Sequence, residues 1–438
     1  NCTLKSGEKV NISVKELTKV DKELTLTAKR EDLQETFDQA YKKYKTQIAL
    51  PGFRPGKVPM GMIKKRFGTE IEYEEINKYV QKVFEKDVVP EYNPVGETEM
   101  VDMTWENDEL EVIFKIGTKP EVELKDLGKI KVNKMVHDVT DEEVAEEIER
   151  TLEREGNWED VDGKATKDSK LVVDVISLDK DGNPVDGEED ADQVIDLRQE
   201  GAKDFLKSLK GKSAGDVVDM ELGEGDETDR FRVTIKKVQK LNKAEMNEEF
   251  ISKNSNGEAK TEDEFKSFIK SQMQKYYDQT SSDLFKNEVV EALVDAHEVD
   301  VPEVFLEQVL NSYVEQQKQQ QGGTLPENFD EVVYKEEMRE RGLREGKWYF
   351  ISQKLQETFE DIEIKPEDID EFISVEAARY GASPDQLKQY YAQNPSLLEQ
   401  LRSSIRENKV FDKLEDEVKI AELDKEKYRK FQEKKSKK

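Results

Sequence analysis

Residues 11–30, NISVKELTKVDKELTLTAKR, alternate apolar and polar positions with the two-residue period of an exposed hairpin. The next twenty, EDLQETFDQAYKKYKTQIAL, switch to helical spacing. Further on, Met62, Ile63, Phe67, Ile71, Ile76, Tyr79, Val80, Val83 and Phe84 recur mostly at three and four residues, which predicts helix, broken near Gly68. The stretch MVDMTWENDELEVIFKIGTKPEV returns to alternation and closes an α+β domain over 11–118. A connector over 119–157 follows. In it Thr140 and Glu143 have capping-box spacing, and Val144, Ile148 and Leu152 mark one face of the helix they open.

From 158 to 240 the pattern becomes short β-rich pieces, KLVVDVISL, DVVDMEL and RFRVTIKKVQ, bounded by the turn signals DKDGNPVDG, LKGKSAGD and GEGDETD. This predicts a small, mostly β domain. Residues 243–425 read as almost entirely helical, punctuated by Pro302, Gly322-Gly323, Pro326, Pro366, Pro384 and Pro395, so several long antiparallel helices and arms are expected. The Gln-rich run 316–321 reads as a helix end. The basic tail 426–438 is expected to fray, and no internal repeat is visible. The fold class is therefore α+β multidomain: an α+β domain, a small β-rich insertion and a long-helix C-terminal domain with arms.

Composition narrows the chemistry. A chain of 438 residues is too long for one core and should hold roughly three domains. With 39% charged residues it is highly polar, yet its periodicity persists nearly to the end, which argues against bulk disorder. Cys2 is the only cysteine, which excludes an internal disulfide framework, and His137 and His297 lie far apart in sequence. A His-centred catalytic or metal site therefore has little material, and each histidine is expected to be solvated or capping. No metal and no cofactor are expected, and no GxxxxGK[ST] phosphate loop occurs. No apolar run approaches the roughly 20 residues that cross a bilayer, and NCTLKSGEKV lacks a signal-peptide core. The expectation is a cytoplasmic protein without membrane contact.

One interval departs from the whole. Acids outnumber bases 100 to 70, giving a net charge of −30, yet Gln39 to Thr69 contains eight bases and no acid. Its centre is LPGFRPGKVP. Gly52 and Gly56 permit backbone conformations that other residues resist, while Pro51, Pro55 and Pro59 reduce the entropy lost when a protruding loop docks. Phe53 can then act as an apolar anchor, Arg54 as a forked donor and Lys57 as a mobile point charge. Lys64, Lys65 and Arg66 extend the positive potential behind the loop.

GFRPGKVP, with strand and helix before it and MGMIKKRFG after, resembles the signature loop of the trigger factor family of bacterial ribosome-associated chaperones. The order of parts is similar too, and HEVDVPEVFLEQVLNSYVEQQ resembles the helical arm region of the family. The resemblance implies docking at the tunnel exit of the large ribosomal subunit, on protein and ribosomal RNA, through Gly52, Phe53, Arg54, Pro55, Gly56, Lys57 and Pro59. It implies nascent and unfolded polypeptides as clients, and a homodimer off the ribosome. Acidity elsewhere would then repel the ribosome and orient docking through the finger, although it serves solubility equally well. Client contact needs dispersed apolar patches; Met273, Tyr277, Phe285, Tyr313, Tyr349 and Phe350 are candidates, each at helical spacing that fits a core position as well.

The resemblance also implies an FK506-binding-protein-like domain over 158–240, a fold that isomerises prolyl bonds in an aromatic pocket because a desolvated site favours the twisted amide. That wall looks dismantled. Beyond Trp158 the only aromatics there are Phe205 and Phe231, and Val175 stands where the family usually has an aromatic after the strand acid, Asp174. The segment AKDFL keeps Phe205 of the usual motif, Leu209, Gly211, Ala214 and Gly215 beyond it still fit the pattern, and GEGDETD has no aromatic flap. Asp174, Phe205 and Phe231 are the remnants of a catalytic site expected to be near background; an active prolyl isomerase is the alternative.

Overall fold

The computed structural model describes residues 2–5, 10–48, 50–51, 53–54, 56–223 and 229–437. The chain forms two compact units, one of residues 1–134 with 284–423 and one of 135–283 with 424–438.

The first unit opens with a five-stranded antiparallel sheet, in spatial order Cys2–Lys5, Asn11–Glu16, Asp21–Lys29, Glu109–Thr118 and Pro94–Glu106. Period-two patterning fixes which face is buried: Leu24, Leu26 and Ala28 on one strand and Leu110, Val112, Phe114 and Ile116 on its neighbour point into one core. Helices Arg30–Gln47 and Met60–Val83 contribute Leu33, Phe37, Ile63 and Ile76 to that core. The second helix is not broken at Gly68, as its sequence suggested. Gly68 is buried inside it, and a Cβ there would lie 3.1 Å from the Tyr41 hydroxyl, so the glycine serves close helix packing rather than a break.

Residues 284–423 supply the end of helix Glu262–Ala296, then Glu303–Gln320, Glu331–Thr358, Pro366–Tyr380, Pro384–Gln393 and Pro395–Glu417. Phe285, Val289, Leu293, Phe350, Leu355, Val410 and Leu414 form a core shared by the first, third and last of these helices, while Ile373, Leu401 and Ile405 form a separate one. The helical expectation misses one element: Lys419–Asp424 is a strand paired with Lys131–Val136. Helix Glu303–Gln320 sits directly on the first sheet because two glycines admit it. A Cβ on Gly96 (φ +78°) would lie 2.7 Å from the Phe305 backbone, and one on Gly117 would lie 2.5 Å from Pro302. Asp21 caps the helix across the chain, its Oδ1 accepting the Glu303 N–H at 2.8 Å.

In the second unit the Thr140–Glu143 capping box opens helix Asp141–Arg154, with Val144 and Ile148 buried beneath it. The β-rich domain has strands ordered Val217–Leu222, Asp229–Asn242, Ser169–Leu178 and Pro184–Asp196, with Asn157–Asp160 also paired to Asp229–Asn242. Strand Pro184–Asp196 carries no sequence signal, because it is an acidic edge strand exposed nearly throughout. A Cβ on Gly156 would lie 2.5 Å from the Asn242 carbonyl, so the chain enters and leaves this domain at one point. The tail expected to fray is a helix, Lys425–Lys435, held by the buried Tyr428. In the first unit His297, expected to be solvated or capping, is not solvated but caps a backbone N–H. It is buried, its Nε2 accepting the Lys125 N–H at 2.9 Å.

Candidate functional site

The basic finger joins helices Arg30–Gln47 and Met60–Val83 and stands on two buried feet, Leu50 and Val58, in the core of the first sheet. Between them the chain turns twice. The Phe53 N–H bonds the Leu50 carbonyl at 3.0 Å, and the Lys57 N–H bonds the Arg54 carbonyl at 2.9 Å. Gly56 has φ +77°, a left-handed conformation that only glycine adopts without strain at such a turn. Phe53, Arg54, Lys57 and Pro59 are exposed, Phe53 at 37%, which for a phenylalanine with buried feet on either side means a ring presented to solvent. Gly52 and Pro55 lie outside the described residues. Pro59 takes the N-cap position of the following helix with φ −61°.

Lys64, Lys65 and Arg66 are exposed on the first turns of that helix. Lys64 is partly engaged, 3.8 Å from the Asp38 carboxylate and 4.9 Å above the Tyr41 ring, and Arg66 lies over Phe67 at 5.8 Å. Among the described residues Arg54, Lys57 and Lys65 form no ion pair, so their charge is available to a partner.

What braces the finger is a buried acid that sequence reading did not single out. Glu72 accepts from Arg30, from the Tyr41 hydroxyl at 2.8 Å and from the Trp105 indole at 3.4 Å, tying both helices to the sheet. Arg30 also reaches Asp108 at 3.1 Å and lies over the Phe37 and Trp105 rings at 5.4 and 5.7 Å. Burial, then Glu72, hold the Tyr41 hydroxyl well above the ordinary phenol range, so it remains a proton donor. Glu72 stands among Glu70, Glu74 and Glu75, and only tertiary contact distinguishes it.

The six apolar candidates divide. Phe285, Tyr313 and Phe350 are buried, Phe285 and Phe350 in the helical core and Tyr313 against Leu306 and Leu310, so they are core and not client surface. Met273 and Tyr277 are half-buried, with the Tyr277 ring 4.4 Å from His137 and 4.5 Å from the Lys425 ammonium. Tyr349 is exposed while its ring leans on Phe305 at 4.9 Å. Sequence reading missed the most exposed apolar residues, among them Val332 at 78% and Tyr380 at 70%, because periodicity marks an apolar face without telling whether anything covers it. A cleft of about 710 Å³ is lined by Leu17, Ile116 and Val304 together with Asp21, Glu97, Glu99, Glu303 and Glu307.

In the β-rich domain the remnants do not converge. Phe205 and Phe231 pack against the domain core beside Leu171, Val173 and Val233. Asp174 alternates with Val173 and so belongs to the opposite face, where its carboxylate accepts the Asp192 N–H at 2.9 Å and lies 3.5 Å from Lys236. Asp192 has φ +55° at a register shift between the strands, so Asp174 holds a bulge. Five of the seven residues of GEGDETD, 224–228, lie outside the described residues. Among the described residues no group of His, Cys, Asp or Glu could hold a metal ion.

Comparison with known proteins bears on this site. Residues 10–151 match the family model of the bacterial trigger factor protein, and residues 261–416 match the model of its C-terminus, together more than half of the chain. A trigger factor of Salinibacter ruber is 28% identical over 434 residues, covering 93% of this chain and 94% of that protein. One of Chlorobaculum tepidum is 28% identical over 414 residues, covering 93% and 97%. A solved trigger factor chaperone structure, reported for promiscuous substrate recognition in folding and assembly, superposes with a TM-score of 0.53 at 23% identity, covering 93% of this chain and all of that one. That last likeness concerns the fold alone.

Proposed function

The chain belongs to the bacterial trigger factor family, and from that premise we propose that it is an ATP-independent chaperone that docks at the ribosomal tunnel exit and shields nascent polypeptides. The observation that carries the reading is the finger: a turn-braced tip presenting Phe53, Arg54 and Lys57 on an otherwise acidic chain. In this reading the α+β domain docks, the long helices hold clients and the β-rich domain is an FK506-binding-protein-like insertion. The protein works in the cytoplasm, where ribosomes are, and pairs as a homodimer when off them. No helix among the described residues is long and apolar enough to cross a membrane. The direct test is sedimentation of the purified chain with ribosomes, alongside suppression of aggregation of a denatured protein without nucleotide. Failure of the chain to sediment with ribosomes at low salt would overturn the docking reading.

Client holding should not need the insertion. Because Gly156 and Asn242 adjoin, residues 157–242 can be removed and Gly156 joined to Lys243 with little disturbance of helix Asp141–Arg154. Most of the aggregation suppression is expected to remain in this variant. Loss of most of it in a variant with intact circular dichroism assigns the activity to the β-rich domain instead.

Prolyl isomerisation is expected near background in a protease-coupled assay with a proline-limited peptide, since Asp174 faces away from Phe205 and Phe231 and there is little aromatic wall to desolvate the bond. Asp174→Ala should leave that rate unchanged. Robust turnover, lost in Phe231→Ala and blocked by an FK506-like ligand, would move the protein into the isomerase class.

A further inference from the structure

The finger is not the only concentrated positive charge. From Lys425 to Lys437 there are seven bases and two acids. The helix Lys425–Lys435 turns Tyr428 inward, with Phe431, Gln432 and Lys435 half-buried beside it, a seam at three- and four-residue spacing. On its outer side Lys427, Lys430 and Lys434, with Lys437 in the turn that follows, recur at the same spacing and are all exposed. This is one ammonium per helical turn, about 5 Å apart along the axis.

The acids of the helix do not cancel this stripe. Glu426 and Glu433 are both taken by Arg429, at 3.7 and 3.8 Å. Lys427 pairs with Asp424 at 2.6 Å. Among the described residues Lys430, Lys434 and Lys437 form no ion pair. Three lysines are thus held in a row by a docked helix, on a chain of net charge −30.

We propose that this lysine row is a second RNA contact, one that grips the phosphate backbone of ribosomal RNA without reading sequence. Its ribosomal target rests on the docking reading above, whereas the affinity for RNA itself does not. A lipid surface fits poorly: none of the large apolar side chains exposed among the described residues belongs to this helix, so nothing on it can enter an acyl layer. A protein partner fits poorly for the same reason, since protein interfaces are built on buried aromatic or apolar anchors and the outer face offers none. Evenly spaced lysine point charges suit phosphates, whose capture releases counterions and needs no such anchor.

The test uses the full chain and a fluorescein-labelled duplex RNA of ribosomal sequence, with anisotropy read over a range of salt. Lys430→Gln, Lys434→Gln and Lys437→Gln together should weaken binding about tenfold and flatten the slope of log affinity against log salt by about two to three. Arginine at the same three positions should restore both. A finger variant should retain most of the duplex affinity, so a wild type that binds duplex through the lysines but ignores ribosomes would sink the docking reading and leave this one standing. Unchanged affinity and slope in the glutamine variant overturn the proposal. So does lysine-dependent binding to phosphatidylglycerol vesicles as strong as to the duplex, or a self-associated form that dissociates on the glutamine changes.

Discussion

Replacing Phe53, Arg54 and Lys57 together by alanine is expected to bring ribosome co-sedimentation at physiological salt down to background, the lysine row alone being too weak there to hold the chain, while the circular dichroism stays that of the wild type. The fold should survive because all three side chains are exposed and the feet, Leu50 and Val58, remain in their core. Binding should not survive, because the change removes at once the apolar anchor, the forked donor and one point charge, and a few central residues carry most of an interface's energy. In the wild type, roughly three to five phosphate contacts would make log affinity fall against log salt with a slope of about −2 to −4. Single changes separate the contributions. Lys57→Ala should flatten the slope by about one, whereas Phe53→Ala should weaken binding at every salt concentration and leave the slope alone. Full binding by the triple variant, or an affinity indifferent to salt, refutes docking through the finger.

The second large effect is on stability. Glu72→Ala is expected to destabilise the first sheet and its helices by about 3 kcal/mol, the range for breaking a buried ion pair, at its lower end because Arg30 keeps some contact with water and with Asp108. Three donors lose their acceptor together: Arg30, the buried Tyr41 hydroxyl and the Trp105 indole. Glu72→Gln keeps an acceptor but not the charge and should cost about half as much. Urea unfolding followed through Trp105, in a chain with Trp158 and Trp348 replaced by Phe, reads the transition in this part of the molecule. Arg30 and Tyr41 belong to the helix before the finger and Glu72 to the helix after it, so the alanine variant should also bind ribosomes more weakly at temperatures where it is still folded. A midpoint shift worth less than about 1 kcal/mol would show that the helices are held by apolar packing alone.

Much of this was legible in the order of residues. The switches between periods of two and near four placed the hairpin, the helix pair and the return to sheet that closes at Thr118, because alternation and helical spacing are local consequences of backbone geometry. The Thr140–Glu143 capping box needs only two residues three apart, and it forms as its spacing requires. The finger was visible as an acid-free interval braced by glycines and prolines, since charge and backbone freedom belong to the residues themselves. Coverage is different. Phe285, Tyr313 and Phe350 share helical spacing with Tyr349, yet three are core and one is exposed, and which neighbour covers a face is decided by helices far away in sequence. Gly68 reads as a helix break until Tyr41 is seen against it, and Glu72 is one glutamate among several until Arg30, Tyr41 and Trp105 close around it. The basic tail has the composition of a frayed end, and it is a helix because Tyr428 finds a buried place. Period, charge and turn chemistry are properties of short stretches and were set by the sequence alone; burial and the pairing of buried polar groups depend on contacts tens to hundreds of residues apart, and only the tertiary structure decided them.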